Sequence, residues 1–399
     1  MCRSEILTKR PITLVWSSPS EIQHQSMAQS GLVSSSMAVA MDVEHVLHMK
    51  EGLGETSYAQ NSSLQKKTMQ SLRHMIVSAA VEACESVAPE NMMIADLGCA
   101  SGPNSLSLVG EIVREVCRKS KEAARPVPEF IVLLNDLPSN DFNAMFSSFP
   151  GFMEEMSDDG GVQVFLAGVP GTFYGRLFGM SCLHFIFSCY SLHWLSQVPL
   201  GLYNEEGKSM NKGRIYISET SPPIVTTAYF KQFQMDFNLF LRSRSAELHP
   251  RGRMALLFLG RRTQDHQDMA TNFFWNILDK SFSILVSQGI VEEDKVDSYN
   301  VPFYAPSEEE VKDEVEREGS FAIENIQVCE FSSSSGDAEK DVRTATMAIR
   351  AIQESMIKHH FGEHIIDPFF QVFSELLTEA RAKSEIKGVH LIAVLRKLA

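Results

Sequence analysis

The stretch Met93-Ile94-Ala95-Asp96-Leu97-Gly98-Cys99-Ala100-Ser101-Gly102-Pro103-Asn104-Ser105 decides the fold class. A short apolar run ends in an acid, a turn with two glycines follows, and residues 107–117 then read as an amphipathic helix. Strand, tight turn and helix in that order leave a nucleotide-sized space at the strand's carboxyl end, where glycines let the backbone approach a ligand. Outward from this unit, apolar runs at 130–134, 162–167, 183–188, 214–218 and 253–259 alternate with helical patterns at 63–85, 111–122 and 227–246. Continuously apolar strands between helices predict an α/β fold with a parallel sheet covered on both faces. Beyond Gly260 the pattern turns mainly helical, at 272–288, 307–318, 342–360 and 367–382, with strands at 323–331 and 389–395. The expected layout is an extension over 1–40, a core over 41–260, a mainly helical cap over 261–385, and a strand over 386–399 that returns to the core.

The chain has 399 residues, with 36 Lys and Arg against 50 Asp and Glu, a net charge of −14. Such a surface repels a phosphate backbone, which argues against nucleic acid as a partner. No apolar run approaches the roughly 20 residues of a membrane span. The seven cysteines are an odd number, scattered and without a CxxC pair. They predict reduced thiols in a cytoplasmic protein rather than a disulfide frame or a thiolate zinc site. The first forty residues are rich in serine and carry Arg3, Lys9 and Arg10. They read as a disordered tail or an upstream start ahead of Met41, with a plastid transit peptide as the alternative.

Three strand ends carry polar or glycine-rich loops, at 96–104, 135–138 and 171–174. Asp136 stands where a carboxylate accepts two ribose hydroxyls. A nicotinamide dinucleotide would call for GxGxxG, whose last glycine permits close helix packing at the pyrophosphate. Here Gly98 and Gly102 are one spacing off and no third glycine follows. The D-x-G-x-x-x-G turn suits a ligand without phosphates, such as S-adenosylmethionine, with Asp96 and Asn104 at its amino-acid end.

These segments resemble one family. Residues 41–50, Ser57-Tyr58-Ala59, Asp96-Leu97-Gly98-Cys99, Ser101-Gly102-Pro103-Asn104, Asn135-Asp136-Leu137-Pro138, Phe173-Tyr174-Gly175-Arg176-Leu177-Phe178 and Ser191-Leu192-His193-Trp194 are similar to the plant SABATH carboxyl methyltransferases. These enzymes act on salicylate, benzoate, jasmonate and related small acids. The resemblance covers nearly all but the extension. It implies a Rossmann-like methyltransferase fold with a parallel-rich central sheet plus a mainly helical cap, and makes 41–66 an active-site segment. Lys50, Tyr58, Ser62, Asp96, Gly98, Cys99 and Asn104 would surround the methionine part of S-adenosylmethionine, Asp136 the ribose, and Leu137, Thr172 and Phe173 the adenine. Gln65 and Trp194 would hydrogen-bond the substrate carboxylate. The other pocket walls would be Tyr190, His193, Leu259, Phe274, Trp275, Tyr304, Ile349 and Ile352. A structural Mg2+ would sit at Asn211, Asp297, Tyr299 and Asn300, and the enzyme would be a homodimer.

A carboxylate substrate with a pKa of roughly 4 arrives ionised, so it is its own nucleophile and needs no general base. The protein must supply in-line alignment and a dry site. Gln65 and Trp194 are donors that leave the anion an anion. The aromatic walls predict salicylate or benzoate as substrate, with anthranilate or jasmonate as alternatives. Jasmonate-type relatives share the His193 residue type but tend to have serine in place of Tyr190. Two readings from other classes compete: a nicotinamide-dependent oxidoreductase, against which the missing GxGxxG argues, and a non-catalytic paralogue that binds small acids.

Overall fold

Met92, Ile94, Ala95 and Leu97 are all fully buried. The strand they form, β1 (Asn91–Leu97), lies in the middle of a sheet and faces a core on each side. Ala95 and Leu97 face one core, Met92 and Ile94 the other, as strand alternation requires. In the computed structural model, residues 42–398 are described apart from 48, 51–60, 62, 103, 159–161, 267 and 333, and so are their side chains except at 63–65, 158 and 269. The expected extension over 1–40 lies outside the described residues.

β1 pairs in parallel with β2 (Glu129–Asp136) on one side and β4 (Leu183–Cys189) on the other. β3 (Val164–Pro170) extends the first side and β5 (Leu248–Leu259) the second, both also in parallel. The last strand, β7 (Lys387–Lys397), runs antiparallel between β5 and β6 (Phe321–Ser332), giving the order β3-β2-β1-β4-β5-β7-β6.

The helices are α1 (Val43–Val46), α2 (Ser63–Val87), α3 (Asn104–Glu122), α4 (Phe142–Ser147), α5 (Phe149–Asp158), α6 (Pro223–Glu247), α7 (Met269–Ser287), α8 (Glu293–Asp297), α9 (Glu308–Glu318), α10 (Ala338–Phe361) and α11 (Ile366–Lys383). On one face α2 and α3 bury Ile76, Val109 and Ile112 against Phe185 and Phe187. On the other, α6, α7 and α11 bring Phe237, Phe282 and Phe369 into the second core. Local sequence sets the ends: Ser307 and Glu310 form a reciprocal capping box on α9, and Gly319 closes it at φ 81°.

Two expectations need correction. Residues 214–218 form no strand. Ile215, Tyr216 and Ile217 are buried, but side chains and loops hold their backbone. Ile215 N–H donates to Asp279 Oδ1 at 2.9 Å, and Asn211 Nδ2 donates to Tyr216 O at 3.0 Å. An apolar run here reports burial, not pairing. The strand at 323–331, grouped with the cap, is instead the sheet's edge strand β6.

The polar centre of the second core is an ion pair in the last turn of α6. Arg244 and Glu247 are fully buried and meet at 2.7 Å. Arg244 also donates to Phe173 O (2.9 Å) and Gly175 O (2.7 Å), while Glu247 Oε1 accepts from the N–H groups of Leu177 (2.5 Å) and Phe178 (2.9 Å). The pair therefore satisfies the loop that follows β3. Removing one partner strands a buried charge, so Arg244→Ala should lower unfolding stability by about 3–5 kcal/mol in a urea titration. A loss below about 1 kcal/mol would mean the loop holds itself.

Candidate active site

Strand order reverses between β1 and β4, and an open α/β sheet binds its ligand outside the carboxyl ends at such a point. Gly98, at φ 85°, makes that approach: a Cβ there would meet Ser191 Oγ at 2.0 Å. Gly98 and Cys99 N–H both donate to Asn135 O, at 2.8 and 2.9 Å. Asn135 Nδ2 in turn donates to Val169 O and Gly171 O, both at 2.8 Å. One buried amide residue thus ties together the ends of β1, β2 and β3.

Beside it, Asp136 Oδ2 accepts from Ala100 N–H at 2.7 Å and Oδ1 from Leu137 N–H at 2.8 Å. Each oxygen keeps further acceptor capacity, enough for two ligand hydroxyls. Burial pushes Asp136 up to about 6, against the pull of those two N–H groups. Burial also pushes Asp96 up to about 7, against its hydrogen bond from Ser105.

Two cavities open over these strand ends. The first is lined by Gly98, Asp136, Leu137, Thr172 and Phe173 together with Val43, Leu47 and Met49 of the N-terminal segment. Ser139 Oγ ties that segment down by donating to Glu44 O at 3.0 Å. The second is lined by Tyr190, His193, Trp194, Leu259, Phe274, Trp275, Ile349 and Ile352. Met49, Tyr190 and Trp194 line both, so the cavities adjoin there.

Trp194 is held from several sides. Its N–H donates to Ser191 O at 3.0 Å, and its carbonyl accepts from Tyr174 OH at 2.5 Å. Ser196, two residues on, donates from N–H and Oγ to Asp236 of α6 at 2.8 and 2.6 Å. The indole N–H itself has no hydrogen-bond partner among the described residues.

The His193 ring accepts at Nδ1 from Leu259 N–H at 3.3 Å. Burial, helped by nearby His390, pushes His193 down to about 3. The ring is therefore neutral and carries its proton on Nε2.

Other expected contacts stand elsewhere. Tyr304 is not a cavity wall. It is fully buried behind one, with its OH donating to Glu310 at 2.8 Å and its N–H to His193 O at 2.8 Å. Lys50 turns to the cap, pairing with Glu354 of α10 at 2.6 Å. Asp96 and Cys99 support the turn from below, with the Cys99 thiol 3.6 Å from Met145 Sδ. Asn104 opens α3 without joining the cavity wall. Tyr58, Ser62 and the side chain of Gln65 lie outside the described residues.

The expected metal residues come together but fit magnesium poorly. Asn211 Oδ1 accepts from Ser221 Oγ at 2.6 Å, and Asp297 Oδ1 accepts from Gly213 N–H at 2.7 Å. The Tyr299 ring is packed among other rings, so Tyr299 would offer only its backbone carbonyl, and Asn300 Oδ1 is a buried amide oxygen without a partner among the described residues. One carboxylate among otherwise neutral amide and carbonyl oxygens makes a thin set for an ion that demands octahedral oxygens. Among the described residues no group of three or more His, Cys, Asp or Glu is arranged to hold a metal.

Sequence reasoning missed His390, Gly388, Thr68 and Gln353, all on the second cavity. For His390 a signal existed: it is the one polar residue inside the apolar run 389–395.

The sequence profile described as SAM dependent carboxyl methyltransferase matches residues 44–398. The chain belongs to this family. The enzyme is 44% identical over 372 residues to the "Probable jasmonic acid carboxyl methyltransferase 2" of Theobroma cacao, covering 90% of this chain and 100% of that one. It is 43% identical over 366 residues to the salicylate carboxymethyltransferase of Clarkia breweri, covering 89% and 99%. Among solved structures, loganic acid methyltransferase with SAH superposes with a TM-score of 0.79 at 33% identity, covering 88% of this chain and 99% of that one. The enzyme is an S-adenosylmethionine-dependent methyltransferase of the SABATH family, as the motifs led one to expect.

A folded pKa raised above 3.8 stabilises the ligand-free fold at low pH, and that stability is lost as pH rises through about 6 for Asp136. A carboxylate that accepts ligand hydroxyls favours the ionised form. The thermal shift given by S-adenosylhomocysteine should therefore grow from pH 5 to pH 7.5. In Asp136→Asn the shift should be smaller and flatter with pH. An unchanged slope in that variant would remove Asp136 from the cofactor site.

Proposed function

We propose that the enzyme methylates the carboxylate of a small aromatic acid, salicylate or benzoate, giving the methyl ester and S-adenosylhomocysteine. The observation that carries this reading is Trp194, which lines both cavities and whose indole N–H has no hydrogen-bond partner among the described residues. A cofactor in the first cavity would present its sulfonium methyl toward that junction. A carboxylate held there would be desolvated, hydrogen-bonded and in line with the methyl group. Gln65 would supply the second donor.

The reaction joins an anion to a cation and yields two products without those charges. Charge is already fading in the transition state, so a water-poor site of low polarity disfavours the reactants more than the transition state. No residue has to take a proton, and His193, neutral with a pKa of about 3, is not placed to do so. Its Nε2–H is suited to an acceptor beside the carboxylate, such as an ortho oxygen. Tyr190 and Trp275, both lining the second cavity, favour a flat ring.

A jasmonate-type acid is the second reading. It is favoured by the name of the Theobroma cacao relative.

Methyl transfer from labelled S-adenosylmethionine to salicylate, benzoate, anthranilate and jasmonate should give the highest kcat/KM with salicylate or benzoate. A lead for jasmonate would favour the second reading. Trp194→Phe removes a donor to a charged group, so kcat/KM for the acid should fall about 10- to 100-fold while S-adenosylhomocysteine binds as before. At saturating substrates, kcat should stay flat from pH 7 to 9. A rise with a single pKa in that range would reveal a base.

A further inference from the structure

The second cavity carries a polar device that carboxylate methylation does not require. Tyr190 leaves the end of β4 at φ 62°, a left-handed conformation uncommon for a bulky residue, with its N–H on Leu257 O at 2.7 Å. Its hydroxyl lies 3.1 Å from His390 Nδ1. His390 sits on β7, opposite Leu259 of β5, and is 7% exposed. Burial pushes it down to about 4, so the ring is neutral at physiological pH.

A phenol is the better donor of the pair. A neutral imidazole that accepts at Nδ1 carries its proton on Nε2. That nitrogen lies over Gly388, where a Cβ would come within 2.8 Å of it. It has no hydrogen-bond partner among the described residues. The glycine thus makes room for the imidazole. His390 lines the second cavity and not the first, whereas Tyr190 and Trp194 line both.

We propose that His390, oriented by Tyr190, is a specificity-determining residue whose Nε2–H binds a hydrogen-bond-accepting oxygen on the substrate, remote from the carboxylate being methylated. Among small ring acids of the proposed kind, those that also bear a distal hydroxyl or ketone oxygen then rank above benzoate and salicylate themselves. A ligand without that oxygen leaves a buried donor unpaired and is disfavoured. This rests on the carboxyl-methylation reading and narrows it.

The test compares kcat/KM for benzoate, 3-hydroxybenzoate, 4-hydroxybenzoate and jasmonate in wild type, His390→Phe and His390→Gln. S-adenosylhomocysteine binding serves as the check of folding. Wild type should prefer at least one distal-oxygen acid over benzoate by roughly tenfold. His390→Phe should abolish that preference. His390→Gln, which restores a donor, should recover part of it. Benzoate preferred by wild type, or a preference that survives in His390→Phe, overturns the role of His390 while leaving carboxyl methylation standing. If the cofactor binds but none of the acids is methylated, the parent reading fails, and this one with it. Should His390→Phe fail to bind cofactor, His390→Gln decides: a full wild-type preference supports a donor at this position, and complete loss without recovery speaks against it.

Discussion

The buried pair Arg244–Glu247 is the constraint on which the active site hangs. Two charges without water cost more than their attraction returns unless every remaining donor and acceptor is used. Here the loop after β3 uses them: two of its carbonyls take the guanidinium, and two of its N–H groups take the carboxylate. The loop cannot relax without stranding a charge. Phe173 is thereby fixed in the first cavity, and Tyr174 is fixed to reach the Trp194 carbonyl. Nearer its middle, the same helix holds Ser196 through Asp236. One helix outside the sheet sets both a wall of the first cavity and the tryptophan that this cavity shares with the second.

The chemistry asks for little beyond that rigidity. Nucleophile and electrophile arrive ready-made, and the protein's task is to bring them into line in a dry space. Donors without basicity suit this task. In the function proposed above Trp194 is one, and His193, kept neutral by burial, is another. Evolution of substrate choice is then free to act on the walls alone, since no wall residue is tied to proton transfer.

Much of this was legible in the sequence. Residues 93–105 announced the strand, turn and helix, because apolar runs and glycine spacing report burial and close approach directly. The strand-end motifs placed Asp136, Thr172, Phe173 and Trp194 around one site. What was not legible was partnership. Arg244 looks like any arginine on a helix until its carbonyl partners, 71 and 69 residues upstream, are known. Ile215–Ile217 is as apolar as a strand, yet its backbone is satisfied by Asp279 and Asn211. Tyr304 has the residue type of a pocket wall, but Glu310 draws it into the core. Lys50 is drawn in the same way to Glu354. A pattern records that a residue is buried; only the fold records against what.

The position of β7 has a consequence for biosynthesis. The last strand in sequence fills the gap between β5 and β6, which have no bond to each other without it. While the C-terminal residues are still inside the ribosome, β5 has an unpaired edge and β6 has no neighbour. The second cavity lacks the wall that carries Gly388 and His390. Long-range pairing of this kind is slow to form and leaves an edge open to other chains. The nascent chain can thus build its first cavity well before its second, and loss of residues 387–397 would take one wall from the second while leaving the strands of the first in place.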